Sequence, residues 1–299
     1  MESRPMMPTT PRPQPARHHH PLPAGPRPRG FTLTELMVVI AVIALVVGLV
    51  VVAVPKVVYG ARSSVCQGNQ RSLAQAANTY AASNKGRLPS PRTDAPGDWP
   101  APNLAPAYKH YWVAATGSNL TGSPARETDK ALQNGSLFPY VGNISSYRSP
   151  QDPTSRLRSY SLNGFVGVEK PDDTLSGAVS QIPAAYRFDT RTLSRIPQPS
   201  RTLFSVVEWD RFDLSQGRDY NFNGFLVNPE PSTRFWFDLP AMWNDDRINV
   251  SYVDGSTGQV QLFDKSLLDA DQDGHDFTEP PPALDYEQFR RMMLPGLIN

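Results

Sequence analysis

The sequence predicts an α+β chain in which one long N-terminal helix packs on an antiparallel β-sheet head. Three observations predict it. Nineteen consecutive residues, Leu36 to Val54, carry no polar side chain. An apolar stripe at helical spacing resumes beyond Pro55 and runs to about residue 83. From Leu88 onward the pattern changes to short alternating runs broken by prolines and by Asn-Gly and Asp-Gly pairs. Whole-chain averages conceal this unevenness. At 39% hydrophobic, 19% charged and formal net charge +1, the 299 residues exclude a polytopic membrane protein, a collagen and a wholly charged tail. The near-neutral balance supplies no field for nucleic acid, so no nucleic-acid partner is expected. A single cysteine, Cys66, excludes an intrachain disulfide and any multi-cysteine metal site.

Residues 1–30 hold nine of the 31 prolines, five arginines, the acid Glu2 and the run His18, His19, His20. With almost nothing apolar to bury, this segment reads as disordered or polyproline-like. The histidine run has no further ligand fixed nearby and reads as solvated polar chain. Leu36–Val54 comes close to the ~20 residues that a helix needs to cross a bilayer, and it is apolar all round where a soluble core helix would show one stripe. Residues 31–55 are therefore assigned as a membrane-spanning helix. Residues 56–86 read as its amphipathic continuation. Val58, Ala61, Val65, Leu73, Ala76, Ala77 and Tyr80 recur on one face, while Arg62, Asn69, Gln70, Arg71 and Asn78 take the other positions. Pro55 is expected to bend the helix without ending it, because the stripe resumes beyond it. A continuous helix over 32–83 would be on the order of 75–80 Å long at ~1.5 Å per residue. Asn84–Gly86 reads as its end.

Residues 87–299 read as a globular α+β head. Six prolines in 88–106 mark irregular surface chain. Arg158–Val168 contains an Asn-Gly turn, and Thr202–Val207 is a short apolar strand. Arg247–Val253 and Gln259–Phe263 alternate around Asp254–Gly258, which signals a hairpin. Residues 264–287 are acidic, with eight Asp or Glu against one Lys.

The residues before the apolar run are unusual. Arg29-Gly30-Phe31-Thr32-Leu33-Thr34-Glu35 places a carboxylate directly against it. An acid at the edge of a lipid-embedded helix is costly and is a functional candidate by default. The stretch GFTLTELMVVIAVIALV closely resembles the start of the type IV pilins and pseudopilins. The resemblance implies a class III signal cut on the cytoplasmic side by prepilin peptidase. Residues 1–30 would be the leader, Gly30 its last residue and Phe31 the first mature one, N-methylated by the same enzyme. Glu35 would meet the new N-terminal amine of a neighbouring subunit during assembly. Two charges that are costly alone in lipid become tolerable as a pair, which fits that role. Five arginines and Glu2 give the leader a charge of +4, which orients it to the cytoplasm and the head to the periplasm.

Further patches resemble the pilin-like proteins described by a His-x9-Asp-Gly motif: Ser64–Pro89, Leu137–Pro153, Tyr160–Gly164 and Pro197–Glu208. Two departures stand out. The motif would end at Asp254-Gly255, yet the histidine position holds Asn244. Where these proteins commonly show Cys-Pro-x-Asp, this chain has Ser149-Pro150-Gln151-Asp152. Both argue against a function that needs that histidine or a second cysteine, and leave Asp254-Gly255 as a structural turn.

Calcium is the candidate cofactor, at two stretches. Asp269, Asp271, Asp273 and Gly274 follow calcium-loop spacing, but the twelfth position is Pro280, so Asp276 or Glu279 would have to complete the ligands. A solvated acidic loop is the alternative. Asp219, Asn221, Asn223, Gly224 and Glu230 match the pattern formally. Their aromatic spacers Tyr220, Phe222 and Phe225 fit a strand running into an Asn-Gly turn equally well. Catalysis is not expected. Outside residues 1–30 only His110 and His275 remain, and no phosphate loop, G-x-S-x-G or H-E-x-x-H is present. Cys66 reads as an inert thiol. Phe235-Trp236-Phe237 with Trp243 reads as a core or loop anchor ahead of a binding surface.

The leading expectation is a structural subunit, major or minor, of a type IV pilus-like or type II secretion pseudopilus filament in the bacterial inner membrane, with other such subunits as partners. The alternative is a membrane-tethered extracellular binding module, calcium-dependent if a loop binds, exported through the same signal.

Overall fold

Helix α1 runs from Leu33 to Ser83, and Pro55 lies inside it without ending it. The computed structural model describes residues 30–93, 110–113, 128–154, 156–168, 189–208, 224–232, 234, 236, 238–243, 247–263 and 283–296. The chain divides into two units, Met1–Ala53 and Val54–Asn299. In the first, every described residue is exposed, large aliphatics included. The most apolar 18-residue window of α1 has a mean hydropathy of 3.4, enough in length and composition to cross a membrane.

The second unit is built on a four-stranded antiparallel meander: β1 (Tyr160–Leu162), β2 (Leu203–Val207), β3 (Arg247–Tyr252) and β4 (Thr257–Gln261), in the order β1-β2-β3-β4. The α+β class follows directly. Register is set by pairs such as Ser161↔Val206, Val206↔Val250 and Ile248↔Val260, with an irregularity between Leu203 and Ser205. The C-terminal part of α1 packs here through Cys66, Leu73, Ala74, Ala77, Tyr80 and Ala81, all buried, against a core that includes Tyr160, Phe204, Val206, Ile248 and Val250.

The buried face of α1 differs from the one that its apolar residues predict. Val58 and Val65 are 42% and 53% exposed, whereas Ser63 and Gln70 are buried. The true face reads Ser63, Cys66, Gln70, Leu73, Ala77, Tyr80, and it meets the predicted one only from Leu73 onward. Polar partners on β3 explain it. The side chain of Asn249 accepts at Oδ1 from Ser63 Oγ (3.0 Å), Gln67 Nε2 (3.2 Å) and Gln259 Nε2 (3.1 Å). Its Nδ2 donates to Gln151 Oε1 at 3.0 Å. A seam that supplies this many partners makes burial of the amides tolerable.

α1 ends at a turn in which Gly86 N donates to Ala81 O (2.8 Å) with Gly86 at φ +81°. The β3–β4 connection is tighter than the sequence suggests. Tyr252 N donates to Ser256 O (2.9 Å), so β4 begins at Thr257 and not at Gln259. Asp254 Oδ1 accepts from Ser256 N (2.9 Å), and Gly255 takes φ +90°, the geometry of a three-residue hairpin loop.

Short helices cover the rest of the unit. α2 (Asp129–Gln133) is capped by Thr128, whose hydroxyl accepts from Ala131 N at 3.1 Å. α3 (Phe138–Val141) closes on Gly142, and a 3-10 turn spans Ile144–Tyr147. α4 (Ala283–Met293) buries Tyr286, Phe289 and Met293. Outside β1, Phe225 N donates to Leu162 O (2.8 Å), and Phe225 O accepts from Gly164 N (3.0 Å).

Candidate processing and assembly site

Gly30, Phe31 and Thr32 precede the first helical residue, Leu33, and all three are exposed. An added Cβ on Gly30 would meet nothing within 4 Å, so the fold itself does not require glycine there. Phe31 is 84% exposed. Thr32 and Glu35 form a reciprocal pair. Thr32 N and Thr32 Oγ1 each donate to Glu35 Oε2 at 2.8 Å, and Glu35 N donates to Thr32 Oγ1 at 3.2 Å. Leu36 N donates to Thr32 O (3.2 Å), the first helical bond. This is a capping box, which satisfies two backbone donors that a helix start otherwise leaves open. Sequence reasoning missed it, although Thr-x-x-Glu directly before an apolar run is its signature.

The other sequence-predicted residues lie elsewhere. Asp269, Asp271, Asp273 and Asp276 fall outside the described residues, as do Asp219, Asn221 and Asn223. Glu230 is described, and its Oε1 accepts from Ser232 N (3.3 Å) and Ser232 Oγ (3.0 Å). Gly224 takes φ +80°, and a Cβ there would sit 2.6 Å from Leu162 O. Close backbone approach therefore demands this glycine whatever the loop binds. Among the described residues no group of three or more His, Cys, Asp or Glu could hold a metal ion.

Cys66 is fully buried, and burial pushes its thiol up despite hydrogen bonds to its sulfur from Tyr160 Oη (3.4 Å) and Gln70 Nε2 (3.8 Å). Trp236 is buried with its ring 5.2 Å from Phe289, so it anchors the core, while Phe235 and Phe237 lie outside the described residues. A cleft of about 630 Å³ beside α1 is lined by Val65, Asn69, Ile144, Arg148 and Leu157, among others. Of the two acids that line it, Asp129 and Asp152, the buried Asp152 is already bound to Arg156 Nε (2.6 Å) and Ser159 Oγ (2.6 Å).

Residues 26–51 match the family described as the prokaryotic N-terminal methylation motif. The chain carries a prepilin-type signal. The match contains Gly30, Phe31, Thr32 and Glu35 and ends within the apolar part of α1. It supports an exported subunit of pilin or pseudopilin type with a membrane anchor, a class of protein that is generally structural. No curated protein and no solved structure matches the chain.

Proposed function

We propose that this chain is a structural subunit of a type IV pilus-like or type II secretion pseudopilus filament. The observation that carries the reading is the coincidence of the methylation motif with a helix start at Leu33 and an apolar, exposed helix beyond it. Prepilin peptidase would cut after Gly30 and methylate Phe31. The apolar part of α1 would hold the precursor in the inner membrane, with the leader cytoplasmic and the head periplasmic. On assembly, neighbouring copies of α1 would replace lipid, and close van der Waals packing would take over from solvation by acyl chains. Glu35 would pair with a neighbour's amine and favour one stacking register.

N-terminal mass spectrometry of the mature protein tests this. An N-methyl-phenylalanine at Phe31 is expected; an intact Met1, or a terminus beyond Val54, overturns it. Calcium is part of the proposal for residues 269–276 alone. A melting temperature that does not move on chelation removes it.

A further inference from the structure

We propose that the outer edge of β4 is a docking site for an extended, acidic segment of another protein. The site stands apart from the filament reading. In the β3–β4 ladder, Tyr252 N donates to Ser256 O. The bonded pairs beyond it are then Val250↔Gly258 and Ile248↔Val260. Thr257, Gln259 and Gln261 therefore direct their main-chain N–H and C=O away from β3. Among the described residues, none of these groups has a hydrogen-bond partner, and Gln259 is exposed. An edge that must stay single usually carries a charge, a proline or a bulge. Residues 255–263 (GSTGQVQLF) hold no charge and no proline, and β4 keeps register with β3 at five consecutive positions.

Charge selects the occupant. Arg71 of α1 donates to Thr257 Oγ1 (3.3 Å), and Arg247 of β3 donates through Nε to Gln261 Oε1 (3.1 Å). Both arginines are exposed, and among the described residues neither is paired with a carboxylate. Thr257 and Gln261 lie four residues apart, about 13 Å at ~3.3 Å per residue, on the face turned to α1. An incoming strand bonded to Thr257, Gln259 and Gln261 would set carboxylates at its positions i and i+4 against the two arginines. Position i+2 would lie over Gln259, whose amide is bonded to Ser63 Oγ (2.9 Å) and Asn249 Oδ1 (3.1 Å). Positions i+1 and i+3 fall on the other face, beside Gly258, the Tyr252 ring and Val260, where apolar side chains fit. A second copy is the poorer occupant. In-register pairing of β4 with β4, in either direction, brings arginine against arginine.

The probe is a fluorophore-labelled peptide, Thr-Glu-Val-Thr-Val-Glu-Thr with blocked termini, added to the detergent-solubilised full chain. Anisotropy reads binding, and amide hydrogen exchange reads the edge. Saturable binding is expected, with exchange at Thr257, Gln259 and Gln261 slowed several-fold. The same peptide N-methylated at its central Thr cannot complete the ladder, and one with Lys for Glu meets the arginines with like charge. Both are expected to bind about ten-fold more weakly or worse. Arg71→Gln combined with Arg247→Gln is expected to weaken the parent peptide roughly five-fold, the weight of two exposed ion pairs, at an unchanged melting temperature. Absent saturable binding, equal binding of the N-methylated or the lysine peptide, or unchanged affinity in the double variant overturns the proposal. Slowed exchange at the three positions in the chain alone, together with a dimer mass, also overturns it and makes a second copy the occupant. Each readout is independent of cleavage after Gly30, so its failure leaves the filament reading untouched.

Discussion

Gln70, fully buried on α1, donates its side-chain amide to the main-chain carbonyl of Asn249 at 2.8 Å. Its Oε1 accepts from Ser205 Oγ (3.2 Å), which is bonded to Ser251 Oγ at 2.6 Å. One glutamine thus ties the helix to two adjacent strands. Gln70→Leu retains the bulk and strands both the Asn249 carbonyl and the serine pair. Such an exchange is expected to cost about 1–3 kcal/mol, read as a lower melting temperature of the solubilised chain. A melting temperature equal to the parent's would mean that the seam contributes nothing.

Asp152 is 5% exposed. Burial alone would raise its carboxyl, but the Arg156 guanidinium and the hydrogen bonds from Ser159, Arg156 and Thr154 hold it below its ordinary value. Glu287 is held down to about 2, first by the hydrogen bond from Arg290, then by Arg291, with burial opposing. Carboxylates lowered in the folded state stabilise it above their unfolded pKa of ~4, and that contribution is lost as pH falls through the folded value. The melting temperature should therefore hold to about pH 5 and drop below about pH 4. Asp152→Asn, which leaves Arg156 buried without a counter-charge, is expected to cost about 3–5 kcal/mol and to flatten the acid limb. An unaltered acid profile in this variant would discount the pair.

The alkaline side is governed by buried phenols. Burial pushes Tyr80 up to about 12, with Arg87 opposing and Tyr140 adding. Burial likewise raises Tyr147 and Tyr160, and raises Tyr252 together with Asp254. A group raised on folding stabilises the fold fully below its unfolded pKa, ~10 for tyrosine, and loses that contribution as pH rises through the folded value. Unfolding should set in between pH 10 and 12, accompanied by the absorbance of phenolate. Ionisation of all eleven tyrosines at pH 10 with the far-ultraviolet dichroism intact would contradict this.

Ser149 is buried close to the fully buried Cys66 sulfur. Ser149→Cys is expected to form a disulfide with Cys66 under oxidising conditions and to add about 2–4 kcal/mol. The check is a loss of both free thiols by mass and a higher, reductant-sensitive melting temperature. Two titratable thiols after oxidation would show that the geometry is wrong.

Glu35→Ala removes the only acid at the apolar boundary of α1. Cleavage after Gly30 should persist and incorporation into filaments should fall sharply, as seen by comparing the N-terminal mass with the sheared-filament fraction. Normal incorporation would end the pairing argument.

Local signals carried most of the architecture. The apolar run gives the start of α1, Asn84–Gly86 its end, and Asp254-Gly255 the β3–β4 hairpin. What stayed hidden depends on distant partners. Nothing near Gln70 announces that a carbonyl 179 residues away will satisfy it. An apolar stripe beginning at Val58 therefore looked more plausible than a buried face that begins at Ser63 and contains Gln70. The Thr32–Glu35 box, by contrast, is a local pattern. It was overshadowed because the same glutamate already had a role by resemblance.

The outward side of β1 has a consequence for how these chains can associate. Its Tyr160 carbonyl accepts from Arg158 Nη1 (2.9 Å), and its Leu162 carbonyl from Phe225 N. Gly164 N is taken by Phe225 O. With both outward carbonyls of β1 already taken, an incoming strand finds no acceptors there, which disfavours β-augmentation between copies on this side. Association of copies across this edge would therefore rest on side-chain contacts, which can slide, release and re-form without unzipping a backbone ladder.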